Sequence, residues 1–280
     1  MGQRTIADTV TLPNETKIPQ LGFGVWASPP QLCTNSCLNA LECGYRHIDT
    51  GQCYGNEAEV GKAVQQSLLD RGDLFITTKI LTAGGSVDKS YEKCIESARK
   101  LDPKSGYVDL FLIHSPDCSK KERLEMWQAL ERMYEEGKAK SIGVSNFGIS
   151  NIQELKEVAK MWPPHVNQIE LHPWCQQREI VEYCEKNGIV VEAYCPIVRN
   201  QKADDEHLVA IAGKHGVTAN QVLLRWSLQK GWIPLPKSDN KDRIKTNANL
   251  YSFELDEQDM ATLDGLDQGA AGAIVEAVQN

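Results

Sequence analysis

Two hydrophobic rhythms alternate along the chain. Short runs rich in β-branched and aromatic residues have the length of buried strands: "LGFGV" (21–25), "YRHI" (45–48), "LFITTK" (74–79), "VDLFLI" (108–113), "KSIGV" (140–144), "HVNQIE" (165–170), "IVVEAY" (189–194) and "WIPLP" (232–236). Between them the apolar positions recur at helical spacing. In "ERLEMWQALERMYEEGK", Leu124, Trp127, Leu130 and Tyr134 fall on one helix face, and Gly137 supplies a C-terminal stop. Strands alternating with helices imply parallel pairing through right-handed crossovers, and eight such units predict an α/β chain folded as a closed (β/α)8 TIM barrel rather than an open doubly wound sheet. "TVTLPNETKIP" (9–19) reads as an N-terminal β-hairpin, with Pro13, Asn14 and Glu15 at its turn, placed to plug the foot of the barrel. "DDEHLVAIAGKHG" and "TANQVLLRWSLQKG" make one helix more than a crossover requires, so an extra helix is expected outside the barrel. "ELDEQDMATLDGL" (254–266) predicts a final amphipathic helix, and no Pro-, Gly- or Ser-rich linker interrupts a single domain spanning 1–280.

Composition narrows the classes. With 41% hydrophobic and 24% charged residues the chain has the make-up of a soluble globular protein, which excludes disordered and fibrous readings. A net charge of −8 opposes general attraction to phosphate backbones or anionic bilayers, so neither nucleic acid nor membrane is an expected partner. No apolar run approaches the roughly 20 residues of a membrane span, and "MGQRTIADTV" has no hydrophobic signal core, so the chain reads as cytoplasmic. The nine cysteines show no CxxC pair and no His/Cys ligand spacing; they read mostly as buried structural thiols rather than a metal site, a redox role for Cys53, beside Tyr54, being the lesser alternative.

In such a barrel the reactive groups sit just past the C-terminal ends of the strands. Asp49 and Tyr54 follow the second strand, Lys79 ends the third and His114 follows the fourth, so four proton-active side chains converge from adjacent strands. A tyrosine is a weak acid, with a reference pKa of about 10, but a neighbouring ammonium stabilises its phenolate and lowers that value. Lys79 is placed for this task, and Asp49 to keep Lys79 charged where burial would strip its proton. His114 is placed to donate a hydrogen bond that orients a carbonyl oxygen. Taken singly, a strand-end lysine is a solvated terminus and Asp49 with Arg46 a surface ion pair; it is the joint occurrence that points to chemistry. His47 and His172 read as packed residues, Trp127, Trp162 and Trp226 as packing residues on helical stretches, and Trp232 as packing near the eighth strand.

The segments "GYRHIDTGQCYGNE", "ITTKI", "FLIHSP", "GKAKSIGVSNF", "VNQIELHP" and "IPLPKSDNKDRIKTN" occur in an order that resembles the aldo-keto reductase family, over residues 9 to 267, in the manner of its small microbial and fungal members. The resemblance implies a monomeric barrel that binds NADPH/NADP+ without a Rossmann fold; no GxGxxG follows a strand here. It implies Asp49, Tyr54, Lys79 and His114 as a catalytic tetrad, Ser145, Asn146 and Gln168 on the nicotinamide carboxamide, and Tyr194 stacked on the ring. It places Lys237, Ser238 and Arg243 at the adenosine 2′-phosphate and Asn247 at the adenine, with Trp26, Trp174 and His114 bordering a small-molecule carbonyl substrate. Two departures bear on the cofactor: Thr246 precedes Asn247 where the family commonly has Glu, and the carboxylate of Asp239, directly after Ser238, would repel a phosphate it faced. The segment "AYCPIVRNQKADD" leaves little chain to clamp a pyrophosphate, and the tail beyond Gly265 is short and without aromatic residues. The expected reaction is NADPH-dependent reduction of α-dicarbonyls, keto esters or keto sugars, with Tyr54 as general acid. A cofactor-binding regulatory or structural barrel is the alternative, opposed by the intact tetrad. A hydrolase using paired carboxylates is weaker still, since no second acid accompanies Asp49 after a neighbouring strand.

Overall fold

Successive side chains of a strand point to opposite faces, and the apolar runs sort on that parity. The computed structural model describes residues 5–157, 159–275 and 278, so parts of the opening segment and of the tail lie outside the described residues. Its strands are β1 (Thr9–Thr11), β2 (Lys17–Pro19), β3 (Gly22–Gly24), β4 (His47–Asp49), β5 (Phe75–Ile80), β6 (Val108–Ile113), β7 (Ala139–Ser145), β8 (Val166–Glu170), β9 (Val190–Tyr194) and β10 (Ile233–Pro234). From β3 to β10 eight strands pair in chain order, all in parallel, each within two residues of its expected bounds. Gly24 N donates to Pro236 O at 3.0 Å, which brings the first barrel strand against the last. β3 comes this close because Gly22 has no side chain: a Cβ there would lie 2.4 Å from Leu235 Cδ2 and 2.7 Å from His47 Nδ1.

One parity faces outward. Ile48, Ile76, Phe111, Ile142, Ile169 and Val191 join the main core between strands and helices. Of the inward positions, Phe75, Leu110, Leu112, Val166, Ile233 and Leu235 build a second, inner apolar cluster. Others are polar and equally buried: His47, Asp49, Thr77, Lys79, Gln168 and Glu192. The antiparallel hairpin β1–β2 closes the foot as expected, contributing Leu12 and Ile18 to the inner cluster. Its turn, with Glu15 at φ 66°, is tied to the barrel by Asn14 Nδ2, which donates to Lys140 O at 2.8 Å.

The helices are α1 (Pro30–Glu42), α2 (Glu57–Gln66), α3 (Val87–Leu101), α4 (Lys120–Glu135), α5 (Ile149–Lys156), α6 (Arg178–Lys186), α7 (Glu206–His215), α8 (Ala219–Gln229), α9 (Lys241–Ala248) and α10 (Glu257–Asp264). α4 starts at a reciprocal cap between Ser119 and Glu122 and stops before Gly137, whose φ of 67° lies in the left-handed region that favours glycine. Between β9 and β10, α8 packs on β10 while α7 lies outside it against α10, which accounts for the extra helix. Trp127 and Trp226 are buried on helices, and Trp232 meets Trp226 edge to face at 5.2 Å beside β10. Trp162 departs from expectation: α5 ends at Lys156, and the half-buried indole sits in the following loop under the Lys156 ammonium, 5.3 Å from its ring. Among the described residues no helix is long and apolar enough to cross a membrane.

Candidate active site

In the β4–β5 register Asp49 stands opposite Thr77, so Lys79 is the next inward residue toward the mouth. That offset lets the lysine reach past Asp49. Its Nζ donates to Asp49 Oδ1 at 2.6 Å, to Thr50 O at 2.9 Å and to the hydroxyl of Tyr54 at 3.2 Å. An ammonium has three N–H donors and all three are engaged. Lys79 is fully buried, which by itself would drive off its proton; the Asp49 carboxylate and the Tyr54 oxygen outweigh that cost and hold its pKa above the ordinary lysine value. Tyr54 closes the short turn Gln52–Tyr54 after β4. Its pKa corrects the expectation of a lowered value: burial raises it more than the neighbouring Lys79 charge lowers it, and the phenol is pushed up to about 12.

His114, the first residue beyond β6, meets the Tyr54 ring at a centroid distance of 5.5 Å and an interplanar angle of 78°. Burial, and then the charge of Lys79, push its pKa down to about 3, so the imidazole is uncharged at neutral pH. The exposed Cys53 places Sγ 3.4 Å from His114 Nδ1, and desolvation holds the thiol above its usual pKa, which disfavours the reactive thiolate. Among the described residues no group of three or more His, Cys, Asp or Glu side chains is placed to hold a metal ion.

Beside these groups the ends of β7, β8 and β9 form a continuous polar wall. Ser145 Oγ donates to Gln168 O at 2.8 Å, Asn146 Nδ2 donates to His114 O at 3.0 Å, and the half-buried Tyr194 donates its hydroxyl to Asn146 Oδ1 at 2.9 Å. Asn146 takes φ 61°, a left-handed conformation that asparagine tolerates better than most residues. Beyond β10, Lys237 is half-buried, Ser238 and Asn247 are buried and Arg243 is exposed. Asp239 does not stand free: its Oδ2 accepts from Lys237 Nζ at 2.5 Å, and its Oδ1 accepts from Ser28 Oγ at 2.5 Å and Ser36 Oγ at 2.9 Å. Partial burial would raise its pKa, and these three donors more than offset that, keeping the carboxyl below its usual value.

Trp26 is 51% exposed at the mouth, with the Arg199 guanidinium 4.7 Å from its ring centroid. Trp174, expected beside it, is instead 2% exposed. The chain after α10 packs on its main chain: Gln268 N donates to Trp174 O at 2.9 Å, and a Cβ on Gly272 would lie 1.8 Å from that oxygen. Trp174 therefore offers no open face to a substrate. The same chain is pinned by Glu170, whose carboxylate accepts from Ile274 N at 2.5 Å and Val275 N at 2.8 Å and stands 2.8 Å from His172 Nε2. Sequence reasoning passed over Glu170 and Glu192. Their signal was a glutamate at an inward position of a strand, and an inward acid in a barrel needs a partner.

The donor set of this wall fits a nicotinamide nucleotide, with amide and hydroxyl groups beside the tyrosine and cations beyond β10. The model of the aldo/keto reductase family matches residues 20–268. This chain belongs to that family. It is 42% identical to an uncharacterized oxidoreductase of Schizosaccharomyces pombe, over 92% of this chain and 94% of that one. It is 39% identical to the glyoxal reductase of Bacillus subtilis, over 94% of each. The solved aldo-keto reductase of Bombyx mori, in complex with NADP, superposes with a TM-score of 0.87 at 32% identity, over 98% of this chain and 96% of that one. As an aldo/keto reductase the protein is an oxidoreductase that acts on carbonyl groups with a nicotinamide cofactor. The depressed His114 value gives a direct check: in an NMR titration its imidazole shifts should stay flat from about pH 8 to about pH 5, and a midpoint near the ordinary histidine value would contradict the desolvated site.

Proposed function

We propose that the protein reduces aldehydes and ketones, α-dicarbonyls foremost and keto esters or keto sugars alongside them, with NADPH as reductant and Tyr54 as general acid. The observation that carries this reading is the full engagement of Lys79, whose third N–H points at the phenolic oxygen. At neutral pH Tyr54 holds its proton, as an acid must before it acts. When that proton passes to a carbonyl oxygen, negative charge develops on the phenolic oxygen 3.2 Å from the ammonium, which is fixed and buried and so stabilises it without reorganising. Asp49 supports the step indirectly, by keeping Lys79 charged. His114 is uncharged and offers one ring N–H to the substrate oxygen; a protonated Cys53 thiol donating to Nδ1 favours the tautomer with its hydrogen on Nε2. Trp26 supplies an exposed apolar wall. Bound NADPH supplies the hydride that reaches the carbonyl carbon.

Ser145, Asn146 and Gln168 would hold the carboxamide of the nicotinamide, Tyr194 would stack on its ring, and Asn247 would meet the adenine. For the 2′-phosphate, Asp239 neutralises Lys237 rather than opposing the anion directly, because Ser28 and Ser36 hold it against α1. Ser238 adds a hydroxyl. Among the described residues no carboxylate is paired with Arg243, which makes its guanidinium the main determinant of cofactor choice. The match to a glyoxal reductase supports the α-dicarbonyl class, and the NADP-bound relative supports the cofactor.

Two outcomes test this reading. Tyr54→Phe removes one hydroxyl, so NADPH should still bind while kcat with a reactive aldehyde falls at least about 10²-fold; near-normal turnover would remove Tyr54 from the role. Arg243→Ala should weaken NADPH by roughly tenfold to a hundredfold, the worth of one charge-assisted hydrogen bond of about 1.5–3 kcal/mol, with NADH little changed. Equal dissociation constants for NADPH and NADH in the wild-type protein would contradict the proposed preference.

A further inference from the structure

One buried acid inside the barrel has no part in the proton transfer described above. Glu192 is fully buried on β9, the inward residue before Tyr194. Its Oε2 accepts from Gln168 Nε2 at 2.8 Å, while its Oε1 has no hydrogen-bond partner among the described residues. The nearest cationic candidate, His47 Nε2, is 3.7 Å away and bonded instead to Thr77 Oγ1 at 2.9 Å. The same Gln168 nitrogen donates to Asp49 Oδ2 at 2.9 Å. An amide nitrogen has two N–H groups, and here each is held by a different carboxyl group. Turned over, Gln168 would set its carbonyl oxygen against the Asp49 carboxylate, acceptor to acceptor, so its orientation is locked. The one polar atom left to meet a ligand is Gln168 Oε1.

We propose that Glu192 is a positioning residue for the cofactor: together with Asp49 it fixes the Gln168 carboxamide with its oxygen available to the nicotinamide amide, and so joins the grip on the cofactor to the Lys79–Asp49 pair. This inference rests on the reading that Gln168 holds the nicotinamide. The groups that face Glu192 are His47 and Asp49 from β4, Lys79 from β5 and Gln168 from β8. Burial, followed by the Asp49 charge, pushes the Glu192 carboxyl up to about 8, so at neutral pH it is an uncharged acid. In that form it still accepts the Gln168 hydrogen bond, yet adds no second negative charge to the Asp49–Lys79 pair. His47, driven down to about 3 by burial and then by Lys79, is likewise uncharged. An apolar side chain in place of Glu192 would fill the space but leave one N–H of Gln168 without an acceptor and Asp49 alone to hold the amide.

The test compares wild type, Glu192→Leu and Glu192→Gln as full-length folded proteins. Cofactor dissociation constants come from fluorescence titration, and kcat is measured with a reactive aldehyde at saturating NADPH. Glu192→Leu should weaken NADPH about tenfold, one hydrogen bond's worth, while kcat at saturation changes far less. Glu192→Gln, whose carboxamide oxygen can still accept from Gln168, should restore the affinity to within about twofold of wild type. In wild type, ionisation of Glu192 above about pH 8 should shift the affinity ratio toward NADP+, whose ring is cationic, and Glu192→Gln should show no such shift. Unchanged NADPH affinity in folded Glu192→Leu overturns the proposal while leaving carbonyl reduction intact. Failure of folded Glu192→Gln to rescue the affinity overturns it as well, and a wild-type protein that binds no nicotinamide cofactor overturns both readings.

Discussion

The site depends on a positive charge that has no contact with water. An ammonium in the interior of a barrel costs several kcal/mol to desolvate, and the cost is met only when its N–H groups are all bonded and a carboxylate lies in contact. Lys79 meets both conditions, with Asp49, Thr50 O and Tyr54 as its three acceptors. The requirement propagates outward. Asp49 must end β4, β4 must pair with β5 in this register, and the turn after β4 must bring Tyr54 back over the lysine. Gln168 then occupies the second oxygen of Asp49 from the far side of the barrel, which draws β8 and Glu192 into the same network.

Among the described residues, the formal charges at the centre of the site are one cation and one anion in contact. The buried His47 and Glu192 and the half-buried His114 are titratable, yet each is uncharged near neutrality because desolvation disfavours its ionised form. In the proposed reaction such a site is prepared for a transient negative charge near Tyr54 rather than already bearing one. Inside the barrel, Leu110, Leu112, Leu235 and the hairpin residues Leu12 and Ile18 form an apolar cluster, beside which the polar groups of the candidate site are held.

Much of this was legible in the sequence. The eight strand runs stood out by their length and their β-branched and aromatic content, with Asp49 just past one strand end and Lys79 closing the next. The convergence of Asp49, Tyr54, Lys79 and His114 was readable because they stand at or after the ends of consecutive strands. What was not legible arises from contacts between residues far apart in the chain. The bonds from Ser28 and Ser36 to Asp239 join segments separated by more than two hundred residues, and no local pattern announces them. The burial of Trp174 follows from tertiary packing that no local pattern announces. The Tyr54 value reversed in net direction because depth of burial, which the sequence does not state, outweighs a single neighbouring charge. Glu192 was overlooked for the opposite reason: the residue was visible in "IVVEAY", but its partner Gln168 is on another strand.

The central claim is that Lys79 and Asp49 stabilise the barrel as a pair and not as two independent contacts. A double-mutant cycle on unfolding free energy measures this directly, using Lys79→Met, Asp49→Leu and the combined variant. Each single change strands a buried charge and should cost about 3–5 kcal/mol, whereas removing both leaves no charge behind and should cost far less than the sum. Additive losses would contradict the account, because they would mean that neither charge depends on the other for its burial.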